Sequence, residues 1–190
     1  MKRSEINQAI RQATACFERH HWTLPPNPRW DVTDMGLGDF PSYGLVLVNL
    51  AEEEEYCEKL MYARRNQKTP AHCHRMKKED IIARNGVLVV QVWAGHPGEV
   101  ADGTPFRVQI NGEEKEVPSG DEIRLEPGHR ITLVPGVYHE FWPETEECVI
   151  GEVSTKNDDL TDNFFVSEDI GRYPDVEEDE APLVKLLSDS

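Results

Sequence analysis

A chain of 190 residues, 38% hydrophobic and 29% charged, is long enough to bury a core and has the composition of a soluble globular domain. Its net charge of −16 argues against DNA or RNA as a partner, which would need clustered Lys and Arg, and disfavours a phosphorylated substrate. A neutral small molecule suits that field better, and no apolar run approaches the roughly 20 residues of a membrane-spanning helix.

In chain order, the opening MKRSEINQAI has no apolar signal core, so a cytoplasmic location is expected. Cys16, Cys57, Cys73 and Cys148 are scattered without a CxxC pair, as expected in a reducing compartment. Residues 4–21 read as an amphipathic helix with Ser4 as N-cap. Ile6, Ile10, Ala13 and Phe17 form the stripe that docks it on the domain. Pro25, Pro26 and Pro28 make residues 22–34 an extended connection.

From residue 44 the period changes to that of strands: 44–50, then 56–63 after an acidic turn, 70–74, 81–83, 87–93, 106–110 and 114–117. Asn111-Gly112 between the last two is the strongest hairpin signal in the chain. Stretches 123–125, 131–134, 137–142 and 148–153 complete a series typical of an all-β sandwich or barrel. One domain is expected: helix and connection over 1–43, barrel over 44–154, and a C-terminal segment over 155–190. That last segment is polar and turn-rich, ends its first part in Phe164-Phe165, and carries the acidic run 177–180. It reads as a solvated tail, a loop packed over the barrel, or a lid over a pocket.

The chemistry concentrates at His72-Cys73-His74 and Glu79. Histidines at i and i+2 of an extended segment project to one face and turn Cys73 away from it. Glu79 follows five residues after His74, and His139 lies downstream in a Pro-Gly-x-x-His turn. Three imidazoles and a carboxylate, without a thiolate, suit an open octahedral divalent ion better than a closed structural zinc site. His20, His21, His96 and His129 lack such support and read as structural or exposed.

H-x-H-x4-E-x6-G over His72, His74, Glu79 and Gly86 resembles the first motif of the cupins, the jelly-roll (double-stranded β-helix) barrels. Gly128, Gly136 and His139 hold the frame of the second, G-x5-P-x-G-x2-H-x3-N. The departures are Asn66 for the leading glycine, Val134 for the proline and Pro143 for the asparagine. All four ligand positions match. On a cupin, such a site permits Lewis-acid isomerisation, Fe(II)-dependent dioxygenation or sugar binding without turnover.

HCHRMKKED (72–80), HEFW (139–142), GEVSTKNDD-x2-DN (151–163) and GRYPDVEEDE (171–180) favour the first of these. With them the chain resembles the D-lyxose isomerases, cupin ketol-isomerases that interconvert D-lyxose with D-xylulose and D-mannose with D-fructose. The resemblance implies a divalent metal, usually Mn2+ (with Co2+, Ni2+, Fe2+ or Zn2+ as alternatives), a homodimer, and a cis-enediol mechanism with a carboxylate base and a basic residue. For these roles Lys77 is either a group that steadies a sugar oxygen or a solvent-facing loop lysine. Glu152, a glutamate within an apolar strand, is expected to face inward. Glu168 and Arg172 would come from the lid, and Phe141 would form an apolar wall beside the ligands.

Overall fold

The computed structural model describes the chain except for Leu160, Arg172, Tyr173, Pro174 and Ser190. Its elements are α1 (Arg3–Arg19), β1 (Arg29–Thr33), β2 (Leu45–Glu52), β3 (Tyr56–Arg64), β4 (Thr69–Cys73), β5 (Glu79–Asn85), β6 (Leu88–Trp93), β7 (Pro105–Ile110), β8 (Glu113–Pro118), β9 (Asp121–Leu125), β10 (Arg130–Leu133), β11 (Tyr138–Pro143), β12 (Glu147–Thr155) and β13 (Phe164–Phe165). An eight-stranded sheet runs β1-β2-β3-β12-β5-β10-β7-β8, and a five-stranded sheet runs β13-β4-β11-β6-β9. All the pairings between these strands are antiparallel. The fold is the expected mostly-β cupin-like architecture with one helix.

Strand alternation explains why β2 reads as an unbroken apolar run. Leu45 and Leu47 enter the core shared by the two sheets, while Val46 and Val48 face a second core under the helix. Met61 and Ala63 of β3 point inward, and Leu60 and Tyr62 point to the helix side. The stripe of Ile6, Ile10, Ala13 and Phe17 closes this second core over Trp30 and Val149. Asn111 and Gly112 have φ of 55° and 82°, as the β7–β8 hairpin requires.

Two motif glycines show what their places demand. Gly86 has φ 77°, and a Cβ there would lie 2.4 Å from the Glu147 carbonyl oxygen, so the place admits only glycine. Asn66, standing for the leading glycine, adopts φ 61°, the left-handed region that asparagine tolerates better than other side chains. The departure from the motif therefore keeps the turn.

Three expectations are corrected. Residues 29–33 are extended, but they form β1 at a sheet edge, paired with β2 from Arg29↔Asn49 to Thr33↔Leu45. The prolines stop just short of the strand, as proline at an edge permits. Second, the N-cap is Lys2, whose backbone N–H donates to Glu5 Oε2 at 2.8 Å. Ser4 lies inside the helix, where its N–H and hydroxyl donate to the Asp179 carboxylate at 2.9 and 2.7 Å. Third, the acidic run is docked against α1. Arg3 pairs with Glu178 and Asp189, Asn7 donates to Glu180, and Leu186 is buried in the helix core. Carboxylates at a helix N-terminus are stabilised by its partial positive charge, which accounts for their clustering.

Candidate metal centre

Register builds the site. His72 of β4 stands directly opposite His139 of β11, and β13 places Phe165 on the other side of His72. His74, one residue past the end of β4, shares the face of His72 through alternation. From the other sheet, Glu79 opens β5 between Leu133 of β10 and Ser154 of β12. Ligand-capable atoms of His72, His74, Glu79 and His139 all lie within 4.8 Å of one another, and all four residues are buried.

Hydrogen bonds decide which nitrogens face the centre. Each Nδ1 lies against a backbone carbonyl: His72 on Pro70 at 2.8 Å, His74 on Asp162 at 2.7 Å, His139 on Val137 at 3.3 Å. A carbonyl only accepts, so Nδ1 carries the proton and a neutral ring presents its Nε2 lone pair. His139 Nε2 lies 3.0 Å and His74 Nε2 3.3 Å from Glu79 Oε1. All three atoms are buried without a hydrogen-bond partner. Lone pairs packed this closely repel, whereas a cation among them turns the same arrangement into coordination. Burial, reinforced by His139 and His74, pushes the His72 imidazole well below its ordinary 6.5, which keeps it neutral and available. The donor set fits a divalent ion. Cys73 is buried outside this set, and burial raises its thiol pKa.

Beside the centre lies a buried row of alternating charge. Lys77 Nζ donates to Glu79 Oε2 at 2.8 Å and to Glu152 Oε1 at 3.0 Å. Lys59, the cross-strand neighbour of Glu152, lies 3.3 Å from the same oxygen and donates to Asn157 at 3.0 Å. Glu152 Oε2 takes no hydrogen bond among the described residues. Burial opposes the Glu79 charge, but the Lys77 ammonium and the two histidines hold it well below the usual carboxylate range. Burial likewise opposes the Glu152 charge, and Lys59 and Lys77 outweigh it. Lys77 is raised in turn, because Glu152 and Glu79 outweigh its own burial. These groups line a cavity of about 290 Å³ whose other walls include Met35, Leu47, Met61, Phe141, Phe165 and Ile170. That size suits a small ligand with polar groups at one end.

The statistical model of the family described as D-lyxose isomerase matches residues 27–190. A D-lyxose/D-mannose isomerase of Escherichia coli O157:H7 is 34% identical, over 100% of this chain and 98% of its own. The chain belongs to the D-lyxose isomerase family. A D-lyxose ketol-isomerase of Cohnella laeviribosi is 27% identical over 95% of this chain and 100% of its own. Among solved structures, the ligand-free L-ribose isomerase of Cellulomonas parahominis shares the fold, with a TM-score of 0.70 at 16% identity, covering 93% of this chain and 98% of that one.

In this member of the D-lyxose isomerase family, the structure gathers His72, His74, Glu79, His139, Lys77, Glu152 and Phe141 at one cavity. Lys77 is no solvent-facing loop lysine, since it is 5% exposed. Glu168 is exposed and does not line the cavity, so the expectation that it supplies a base is corrected. Among the described residues around it, Phe165 and Ile170 line the wall, and just beyond them the Gly171 N–H donates to the Met35 carbonyl. Arg172 lies outside the described residues. Asp31, Thr33, Lys59 and Thr69 are polar wall residues that the sequence does not single out, and Asp159 and Asn163 enter only as part of the 151–163 stretch. Lys59 shares the strand phase of the inward Met61 and Ala63, a signal that alternation could have supplied. Asp31 sits on the strand that the prolines concealed.

The shifted groups set an acid limit on stability. Glu79 and Glu152 have depressed folded pKa values, so their contribution is present above their ordinary 4.5 and lost as pH falls through the folded values. His72 acts in the same direction: below 6.5 the unfolded chain binds a proton that the folded site refuses. The thermal midpoint of metal-free protein is therefore expected to fall as pH drops below 6.5, and more steeply below 4.5. Calorimetry at constant ionic strength checks this, and a midpoint that rises or stays flat over that range would contradict it.

Proposed function

We propose that the chain is a metal-dependent aldose–ketose isomerase, interconverting D-lyxose with D-xylulose and D-mannose with D-fructose through a cis-enediol. Family membership and the names of its relatives support the substrate class. The observation that carries the chemistry is the ionised Glu152, flanked by two lysines on the cavity wall beside the three-histidine, one-carboxylate centre.

His72, His74, Glu79 and His139 would hold the ion. When bound, it supplies a Lewis acid that polarises the carbonyl and adjacent hydroxyl of an open-chain aldose, acidifying the C2 proton. Glu152 takes that proton on Oε2 and returns it to C1 while the hydroxyl proton of O2 passes to O1, so neither redox change nor organic cofactor is needed. Lys59 and Lys77 keep Glu152 charged in a buried site and make its protonated form short-lived. Lys77 also presents an ammonium for a hydrogen bond to the sugar oxygen that gains charge. Phe141 and Phe165 restrict water at the apolar wall.

Mn2+ as native ion and a homodimeric assembly follow the family resemblance, and the four unpaired cysteines suit a cytoplasmic setting. In the double variant His72→Ala/His139→Ala, elemental analysis should find the metal lost, and turnover of D-lyxose should vanish with the β-rich circular dichroism spectrum preserved. Full metal occupancy in that variant would refute the ligand assignment.

A further inference from the structure

The loop between the ligands His74 and Glu79 is held by a residue far along the chain. Asp162 is 2% exposed, and its carboxylate accepts from three successive backbone N–H groups. Oδ1 takes Arg75 N–H at 2.8 Å and Met76 N–H at 3.1 Å; Oδ2 takes Met76 N–H at 3.2 Å and Lys77 N–H at 2.8 Å. The main-chain carbonyl of the same residue accepts from His74 Nδ1 at 2.7 Å.

Consecutive N–H groups turned to one side form a concave anion site, and here the anion is supplied by the chain itself. The segment bearing Asp162 is anchored close by. Phe164 and Phe165 pair with Cys73 and His72, and the Arg75 guanidinium lies 3.8 Å from the centre of the Phe164 ring. Residues 75–77 lie between strands β4 and β5, so strand pairing does not fix them, and the carboxylate does.

We infer that Asp162 is a positioning residue that sets two groups at once. Its carbonyl orients His74 so that Nε2 faces the metal centre. Its carboxylate shapes the backbone at Lys77 so that the ammonium reaches Glu79 and Glu152. The Lys77 part rests on the isomerase reading, whereas the His74 part concerns metal binding alone.

Asp162→Asn is nearly isosteric but turns an amide donor toward the backbone N–H groups, and Asp162→Ala removes both carboxylate oxygens. Either change releases the segment whose main-chain carbonyl orients His74, so that carbonyl shifts although it is still present. Mn2+ affinity, measured by chelator competition, should fall by about 10–100-fold, with Ala worse than Asn. At saturating Mn2+, kcat for D-lyxose should fall at least about tenfold with KM little changed, because a displaced catalytic group costs rate before binding. The double variant Lys77→Met/Asp162→Asn should be no slower than Lys77→Met alone. Unchanged Mn2+ affinity, or additive losses in that cycle, would overturn the inference. Unchanged affinity would leave the isomerase reading standing, since the ligand variants test that reading separately. Hydrogen exchange on the unaltered, metal-loaded protein provides a check independent of whether the variants fold. The amides of Arg75, Met76 and Lys77 should be strongly protected, and fast exchange there would equally overturn the inference.

Discussion

Replacing Glu152 with glutamine is expected to lower kcat by about 10²–10⁴-fold, the usual contribution of a positioned general base. The bound metal should stay in place, because Glu152 contacts Lys77 and Lys59 and lies outside the cluster of ligand-capable groups. Glutamine keeps the shape and one acceptor for the lysines but cannot take the C2 proton. Both lysines also retain other partners, Lys77 at Glu79 and Lys59 at Asn157, so the substitution strands no ammonium. Steady-state kinetics on D-lyxose, with metal content measured on the same sample, separates loss of chemistry from loss of the ion. A variant with full metal and near-normal kcat would remove Glu152 from the mechanism.

Lys77→Met should have the largest effect on stability. Lys77 lies within 3.0 Å of two buried carboxylates, and its removal leaves both without this cation. Breaking a buried ion pair by deleting one partner typically costs about 3–5 kcal/mol, since the remaining charge stays desolvated and unpaired. Lys59 still serves Glu152, so the main loss falls on Glu79. A metal ion at Glu79 would compensate that carboxylate. The variant's deficit in urea unfolding should therefore be larger in metal-free protein than in protein saturated with Mn2+. Equal deficits in the two conditions would contradict the placement of the ion beside Glu79. Turnover should fall as well, because the ammonium facing the sugar oxygens is gone.

These expectations draw on features that differ in how plainly the sequence displays them. The four ligand-type residues were legible, because H-x-H on an extended segment and the spacing to Glu79 carry geometry directly. Glu152 was legible as a charge inside an apolar strand. Lys59 obeys the same alternation in β3, yet a lone lysine in a strand looks like any exposed one until its phase is compared with Met61. The lid reading failed at Glu168 because a polar, turn-rich composition does not specify which way a segment folds back. Asp162 and Asp179 illustrate the remaining limit. One caps a loop some 85 residues earlier and the other reaches the N-terminal helix, and contacts at such separations leave no local periodicity to read.

Conversion of sugar by metal-stripped and metal-restored protein is the most direct measurement of the central claim. Chelator-treated protein, followed by nuclear magnetic resonance with D-lyxose and then D-mannose, should form no ketose. Adding Mn2+ should produce D-xylulose and D-fructose respectively, with no oxygen consumed. Metal-loaded protein that converts neither aldose, or stripped protein that converts both at full rate, would contradict the account.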